Sequence, residues 1–208
     1  MNASRFITLA FGLCSLMSTP CLAQATIQLP SVDFPRAMSL ADALQKRRSV
    51  RDFTDARALS DQTLANLLWA ACGISSDDGK ITAPSAMNKQ DIRLYVCRQD
   101  GAYLYIPQSN TLLQVSDHDL RHAVADRQAF AAQAPLCLVL VSDTGQFAHN
   151  GQLMGAVDAG YVSQNICLAC TALGLKTVPR MTMDQATLRE ALGLSDTMVL
   201  LLNHPVGY

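Results

Sequence analysis

Two hydrophobic periods alternate along the chain, and the residues that break them mark the element ends. Leu40 to Arg48 reads as a short amphipathic helix behind a Ser39 N-cap. A second helix runs from Ser60, its cap, to Cys72, with Leu64, Leu67, Leu68 and Ala71 as the buried stripe and Gly73 as the stop. The period then drops to two. Ile92–Cys97 alternates, Asp100-Gly101 signals a hairpin, and Ala102–Ile106 returns. Asn110–Val115 predicts another short strand and Asp117–Ala125 a helix. Leu136–Val141 is continuously apolar and β-rich, the pattern of a central strand covered on both faces. Gln152–Leu173 is the longest helical pattern, ended by Gly174. Its many small residues leave little polar face, which predicts close packing on several neighbours. Thr182 and Gln185 have capping-box spacing for one more helix ending at Gly193, and Met198–Leu202 is a last strand. Gln24–Met38, with two prolines and no period, predicts an extended surface arm. This order of elements is α+β.

The first residues fall outside that scheme. Met1–Ala25 carries one charge, Arg5, then an apolar run from Phe6 to Met17, then small residues up to Ala23 and Ala25. That is the layout of a secretory signal peptide, with a core too short to span a bilayer. Without twin arginines it predicts export as an unfolded chain, to the periplasm or the medium, and leaves 26–208 as one domain. Half of the 208 residues are apolar, enough for a sizeable core. Beyond the signal stand 15 cations against 17 acids, about −2 net, so neither a nucleic-acid nor an anionic-membrane surface is implied. Five cysteines remain, an odd number in mostly apolar runs, which points to buried thiols rather than a disulfide framework.

Chemistry has few places to reside. G-x-G-x-x-G, the P-loop and G-x-S-x-G are all missing, so a Rossmann site, a kinase-type phosphate loop and a common serine hydrolase are unsupported. His118 and His122 lie four apart on a predicted helix, yet a metal would need a third ligand, so no metal site is assigned. Cys167 and Cys170 have redox-motif spacing inside an apolar helix, where a core role fits better. More telling is Lys46-Arg47-Arg48-Ser49-Val50-Arg51, four cations in six residues. On a helical turn Arg47, Arg48 and Arg51 would converge on one spot, a geometry suited to a phosphate. The competing reading is a solvated basic helix end answered by the helix dipole, Asp52 and Asp55. Pro84–Gln90 and Thr177–Thr182 are polar loops that packing does not explain. Gln164 and Asn165 sit mid-helix among apolar residues, where amides face a ligand or another subunit.

Taken in order, R-R-S-V-R-D-F, P-S-A-M-N-K-Q, D-A-G-Y-V-S-Q-N-I-C-L-A-C, V-P-R and N-H-P-V-G-Y resemble the FMN-dependent nitroreductase family, particularly its short exported members from anaerobic gut bacteria. The resemblance covers Ser39 to Tyr208. It implies a central antiparallel sheet flanked by helices and a homodimer built around the Gln152–Leu173 helix. It implies that FMN is held by Arg47, Arg48, Ser49 and Arg51 at its phosphate and ribityl chain. Pro84, Ser85, Met87 and Asn88, with Gln90 behind them, would approach it from the partner subunit, and Gln164 would also face it. Pro179, Arg180 and Met181 would lie against the ring and offer a backbone N–H to its N5, a lever on flavin potential. Many members continue past P-V-G-Y into a tail that adds a cation at the phosphate, so here that load would fall on Arg47–Arg51. The activity implied is oxidoreduction from NAD(P)H or another reductant to a small acceptor, with no protein nucleophile or general base. A flavin-binding protein without turnover and a cofactor-free interaction domain are the alternatives.

Overall fold

The computed structural model describes residues 25–34 and 38–208. The signal reading lies outside the described residues up to Gln24. The elements are β1 (Thr26–Gln28), α1 (Leu40–Lys46), α2 (Asp61–Cys72), β2 (Ile92–Arg98), β3 (Gly101–Ile106), β4 (Thr111–Ser116), α3 (Arg121–Ala125), β5 (Leu136–Asp143), α4 (Gly151–Ala172), β6 (Lys176–Thr177), α5 (Gln185–Ala191) and β7 (Met198–Gly207). Short 3-10 turns at Ala86–Asn88, Ala129–Gln133 and Thr144–Gln146 join them.

Seven strands form one sheet in the order β1-β4-β3-β2-β5-β7-β6, every pairing antiparallel. The apolar run is its centre, as its sequence predicts. β5 pairs with β2 on one side (Leu94 opposite Leu140) and β7 on the other (Leu138 opposite His204). Leu136, Leu138 and Leu140 face a core shared with α2 and α4, while Cys137, Val139 and Val141 face one shared with α5. Because side chains alternate across a strand, one continuous hydrophobic run supplies both layers.

Several boundaries differ from the periodic reading, each for a local reason. The proline-rich arm is more than a surface strap: β1 adds an edge strand to β4, Leu29 is buried, and Asn66 brackets the Asp33 backbone (2.7 and 3.0 Å). Gly73 stops α2 in extended, not left-handed, geometry. Its hydrogen leaves room for Trp69, whose Cα would lie 2.6 Å from an added Cβ. Asp184, not Thr182, caps α5, accepting from Thr187 N–H at 3.1 Å. α3 starts only at Arg121, because Asp119 accepts from the Arg121 N–H and guanidinium and holds the preceding residues in a turn. His118 and His122 therefore do not share one helical face. β7 runs five residues beyond its apolar core, taking Asn203-His204-Pro205-Val206-Gly207 into the sheet.

α4 departs most. Gly155, Asp158, Ala159, Val162, Ser163, Ile166, Cys167, Ala169 and Cys170 are buried, a clean stripe against α2 and the sheet. The opposite face is open: Leu153, Val157 and Tyr161 are 63%, 45% and 46% exposed, and Gln164 is exposed with them. Apolar residues on both faces flatten the helical period, so the pattern reads as packed all round when only one side is covered. The five cysteines are free and buried, and burial pushes the Cys72 and Cys137 thiols up to about 12.

Candidate functional site

The basic segment begins where α1 ends. Arg47 is the C-cap, with extended ψ, and its N–H closes the last helical hydrogen bond to Ala43 O. The guanidinium of Arg48 folds back to donate to the carbonyls of Gln45 and Arg47, each at 2.8 Å, satisfying two of the acceptors that a helix end leaves open. Arg47, Arg48 and Arg51 thus do not share a helical turn; they lie on an extended run. That run is pinned at Val50 and just beyond its end. Val50 N–H donates to Thr177 O at 3.0 Å, and Phe53 is fully buried, stacked on Phe130. Around the first pin, Arg48, Ser49 and Arg51 stand exposed, and among the described residues no carboxylate pairs with Arg47, Arg48 or Arg51. Asp52 turns instead to Lys176, at 3.8 Å, and Asp55 to Arg57.

The Val50–Thr177 bond sets the first motif beside the loop after β6. That loop is positioned by a buried network the sequence reading missed. His204 has no exposed surface, and burial lowers its pKa to about 3, so the ring is neutral. The Thr177 hydroxyl donates to Pro205 O (2.9 Å) and therefore accepts from His204 Nδ1–H (3.2 Å). His204 Nε2 is then left to accept from Ser163 O–H at 2.8 Å. One imidazole ties α4, β6 and β7 together. The signal available was the lone histidine in N-H-P-V-G-Y, placed after the strand rather than inside it.

Arg180, in the loop that its motif implies lies against the ring, turns its side chain inward. Its side chain is buried and donates to Gln128 Oε1 (2.9 Å), Asn203 Oδ1 (2.7 Å) and the carbonyls of Val124 and Ala125 (3.2 and 2.9 Å). Its own N–H goes to Asn203 O at 2.8 Å. Arg180 is a clasp between the end of α3 and β7: it supplies a donor to the Val124 carbonyl and a second one to Ala125 O, which also accepts from Gln128 N–H at 3.0 Å. Pro179 has no N–H, so of Pro179, Arg180 and Met181 only Met181 keeps a free donor. Its side chain is 73% exposed, and its N–H meets no partner among the described residues.

The Pro84–Gln90 loop lies further along α4. Met87, Asn88 and Gln90 all adopt left-handed backbone (φ 51°, 53° and 48°), a strained series for residues other than glycine. What holds it is internal. Ser85 Oγ accepts from Gln90 N–H (2.9 Å), Gln90 Nε2 donates to Gly79 O (3.0 Å), and Ala86 N–H donates to Asp158 Oδ2 of α4 (2.8 Å). Pro84, Met87 and Asn88 remain exposed. Gln164, expected as a buried amide, stands on the open face of α4, while Asn165 is half-buried and donates to Ala71 O at 3.5 Å.

The fold therefore assembles two groups. Arg47–Arg51 and Thr177–Met181 meet at one end of α4, where burial raises the Cys167 thiol and nearby Arg47 offsets part of that rise. The Pro84–Gln90 loop meets α4 at Asp158. From Asp158 to Cys167 is nine residues, about 13 Å of helix. Within one chain the groups stay apart.

Residues 44–208 match the Nitroreductase family. A protein of Methanocaldococcus jannaschii described as a nitroreductase is 32% identical over 194 residues, covering 87% of this chain and 95% of its own. A crystal structure from Ralstonia eutropha, also described as a nitroreductase, superposes with a TM-score of 0.81 at 32% identity, covering 88% of both chains. A Clostridium acetobutylicum structure described as an NADH oxidase shares the fold (TM-score 0.59, 21% identity, 80% of this chain and 87% of that one).

Proposed function

The chain belongs to the nitroreductase family, and from that premise we propose that it is an FMN-dependent oxidoreductase passing electrons from NAD(P)H to a small acceptor. Family membership supports oxidoreduction in general, and members of the family are generally flavin-dependent. The finer reading rests on one observation. Three guanidinium groups on an extended run, without carboxylate partners among the described residues, are held beside a loop whose exposed end offers a free N–H. Such a cation cluster suits a phosphate, and a donor beside it suits a ring that gains negative charge on reduction. FMN, when bound, accepts hydride from the donor and hands electrons to the acceptor.

The chain's own residues then have separable tasks. Arg47, Arg48, Ser49 and Arg51 would hold the phosphate and ribityl chain, and the Val50–Thr177 bond keeps them at the β6 loop. Met181, with Pro179 beside it, would direct its N–H at the ring. Pro84, Ser85, Met87, Asn88 and Gln90 lie about 13 Å away along α4, so they would serve a site completed by a second copy. A homodimer through the open face of α4, where Gln164 stands, brings the two groups together. Export by Met1–Ala25 belongs to this reading, as one of the family's short exported members; N-terminal sequencing of the protein recovered from the periplasm or medium tests it.

An absorption spectrum of the purified protein, before and after anaerobic NADH, is the direct test. Flavin bands that bleach support both cofactor and donor, and bands that persist point to another reductant. The absence of bands after incubation with FMN would overturn the reading. Arg48→Ala with Arg51→Ala is expected to weaken FMN retention at least tenfold while lowering the melting temperature by no more than about 5 °C, since Arg51 is exposed and the two Arg48 bonds to the α1 end are solvent-exposed.

A further inference from the structure

Beneath the Pro84–Gln90 loop lie two carboxyl groups that the flavin reading does not use. Asp91, at the head of β2, has no exposed surface, and Asp158 on α4 is equally buried. Among the described residues no cation pairs with them. Asp91 meets Ser142 of β5, Asp158 of α4 and its own backbone; the neighbouring Arg93 is exposed and turned to Asp143. Lys89, on the loop itself, is exposed. Ser142 O–H donates to Asp91 Oδ2, while Asp91 Oδ1 is buried with no hydrogen-bond partner. Asp158 Oδ2 accepts from Ala86 N–H, the loop's link to α4. The approach is built in. An added Cβ at Gly155 would collide with Ser142 Oγ and come within 3.4 Å of Asp91 Oδ2, so this glycine lets the helix close on the pair.

Two uncompensated carboxylates side by side in a buried site repel one another, and the cheapest arrangement holds one proton between them. Ser142 already occupies Oδ2, so that proton belongs on Asp91 Oδ1, the oxygen left for Asp158. We propose that Asp91 and Asp158 form a proton-controlled latch: the shared proton lets Asp158 keep its grip on Ala86 and so positions the Ser85–Asn88 turn for its ligand. Asp91 and Asp158 are positioning residues, not catalytic ones. That the turn serves FMN rests on the function proposed above; that the proton holds the turn does not.

The sign follows from the burial. Desolvation and the neighbouring Asp158 raise the Asp91 pKa to about 6, above its value in an open, solvated loop. The latch is therefore fully closed below about pH 4, weakens up to tenfold per pH unit above that, and levels off once pH passes about 6. The strained left-handed turn supplies the opposing tendency to relax.

The test is hydrogen exchange of the full-length protein without added flavin, between pH 4.5 and 7. The protection of the 84–90 segment is read relative to that of β5, which removes intrinsic rates and global unfolding. In the unmodified protein the ratio is expected to fall at least tenfold as pH rises through this range. Asp91→Asn places a permanent N–H donor toward Asp158 and is expected to keep the ratio high and flat; Asp158→Ala is expected to keep it low and flat. A flat ratio in the unmodified protein, or Asp91→Asn tracking it, would overturn the latch, and that comparison decides alone if Asp158→Ala does not fold. FMN titration on the same samples is the second arm. Affinity falling with the protection ratio supports the latch acting on the flavin. Protection that falls while FMN binds at no pH keeps the latch and removes the flavin reading. FMN binding beside a flat ratio does the reverse.

Discussion

Two buried titratable residues, Asp91 and His204, act on stability with opposite sign. The folded pKa of His204 is lowered from 6.5 to about 3 by burial, so its contribution is present above pH 6.5 and lost as pH falls toward 3. The folded pKa of Asp91 is raised from 3.8 to about 6, so its contribution is present below pH 3.8 and lost as pH rises through 6. Between about pH 4 and 6 the two slopes oppose each other, each up to about 1.4 kcal/mol per pH unit. Urea denaturation at pH 4.5, 5.5 and 6.5 should therefore show a shallow dependence in the unmodified protein. His204→Gln is expected to leave stability falling as pH rises, and Asp91→Asn to leave it falling as pH drops. If both variants keep the shallow profile, the two groups titrate as they do in water. Neither effect was legible in the sequence. Asp91 and Asp158 are 67 positions apart, and a single histidine in a polar tail carries no sign of burial until the register of β7 sets it opposite Leu138.

At the scale of elements, the sequence is most informative where one layer decides the pattern. β5 could be read correctly because both its faces are buried, and α2 because its cap, stripe and stop agree. Caps compete locally, and there the reading failed. Thr182 and Gln185 have the right spacing, yet Thr182 O is taken by Asn203 Nδ2, and Asp184 reaches Thr187 N–H with its carboxylate two residues later. A charged acceptor at a helix N-terminus outweighs a threonine hydroxyl. Asp184→Ala is expected to cost about 1 kcal/mol in urea unfolding, and Thr182→Ala no more than a few tenths. The reverse order would restore the capping box. The candidate-site loops were legible as polar segments that packing could not explain. Their internal geometry was not: Arg180 lies in a motif that implied a ligand contact, and the α3 carbonyls took its guanidinium instead.

The whole molecule presents one surface that a single chain does not complete. Leu153, Val157 and Tyr161 on α4, Leu40 and Leu44 on α1, and Met87 are exposed. A hollow of about 340 Å³ lies nearby, lined by Phe34, Leu40, Trp69, Leu168 and Ala172 among others. Scattered exposed apolar residues are ordinary, but three large ones stacked over about two turns of one helix, from Leu153 to Tyr161, make a patch. A stable dimer buries roughly 800 Å² on each partner. The Arg47–Arg51 and Pro84–Gln90 groups meet α4 at separate points, so in the reading proposed above a second copy covering the open face would bury the patch and complete the candidate site in one step. Val157→Glu with Tyr161→Glu places two charges there without touching the buried stripe. Sedimentation velocity at micromolar concentration is expected to show a dimer for the unmodified protein and a monomer for the variant. The variant should retain its melting behaviour in the sheet core but lose FMN at least tenfold more readily. An unmodified protein that sediments as a monomer would leave the two groups at separate points along α4 and remove the shared site. A monomeric variant that holds FMN as tightly as before would keep the dimer but confine the flavin to the residues of one chain.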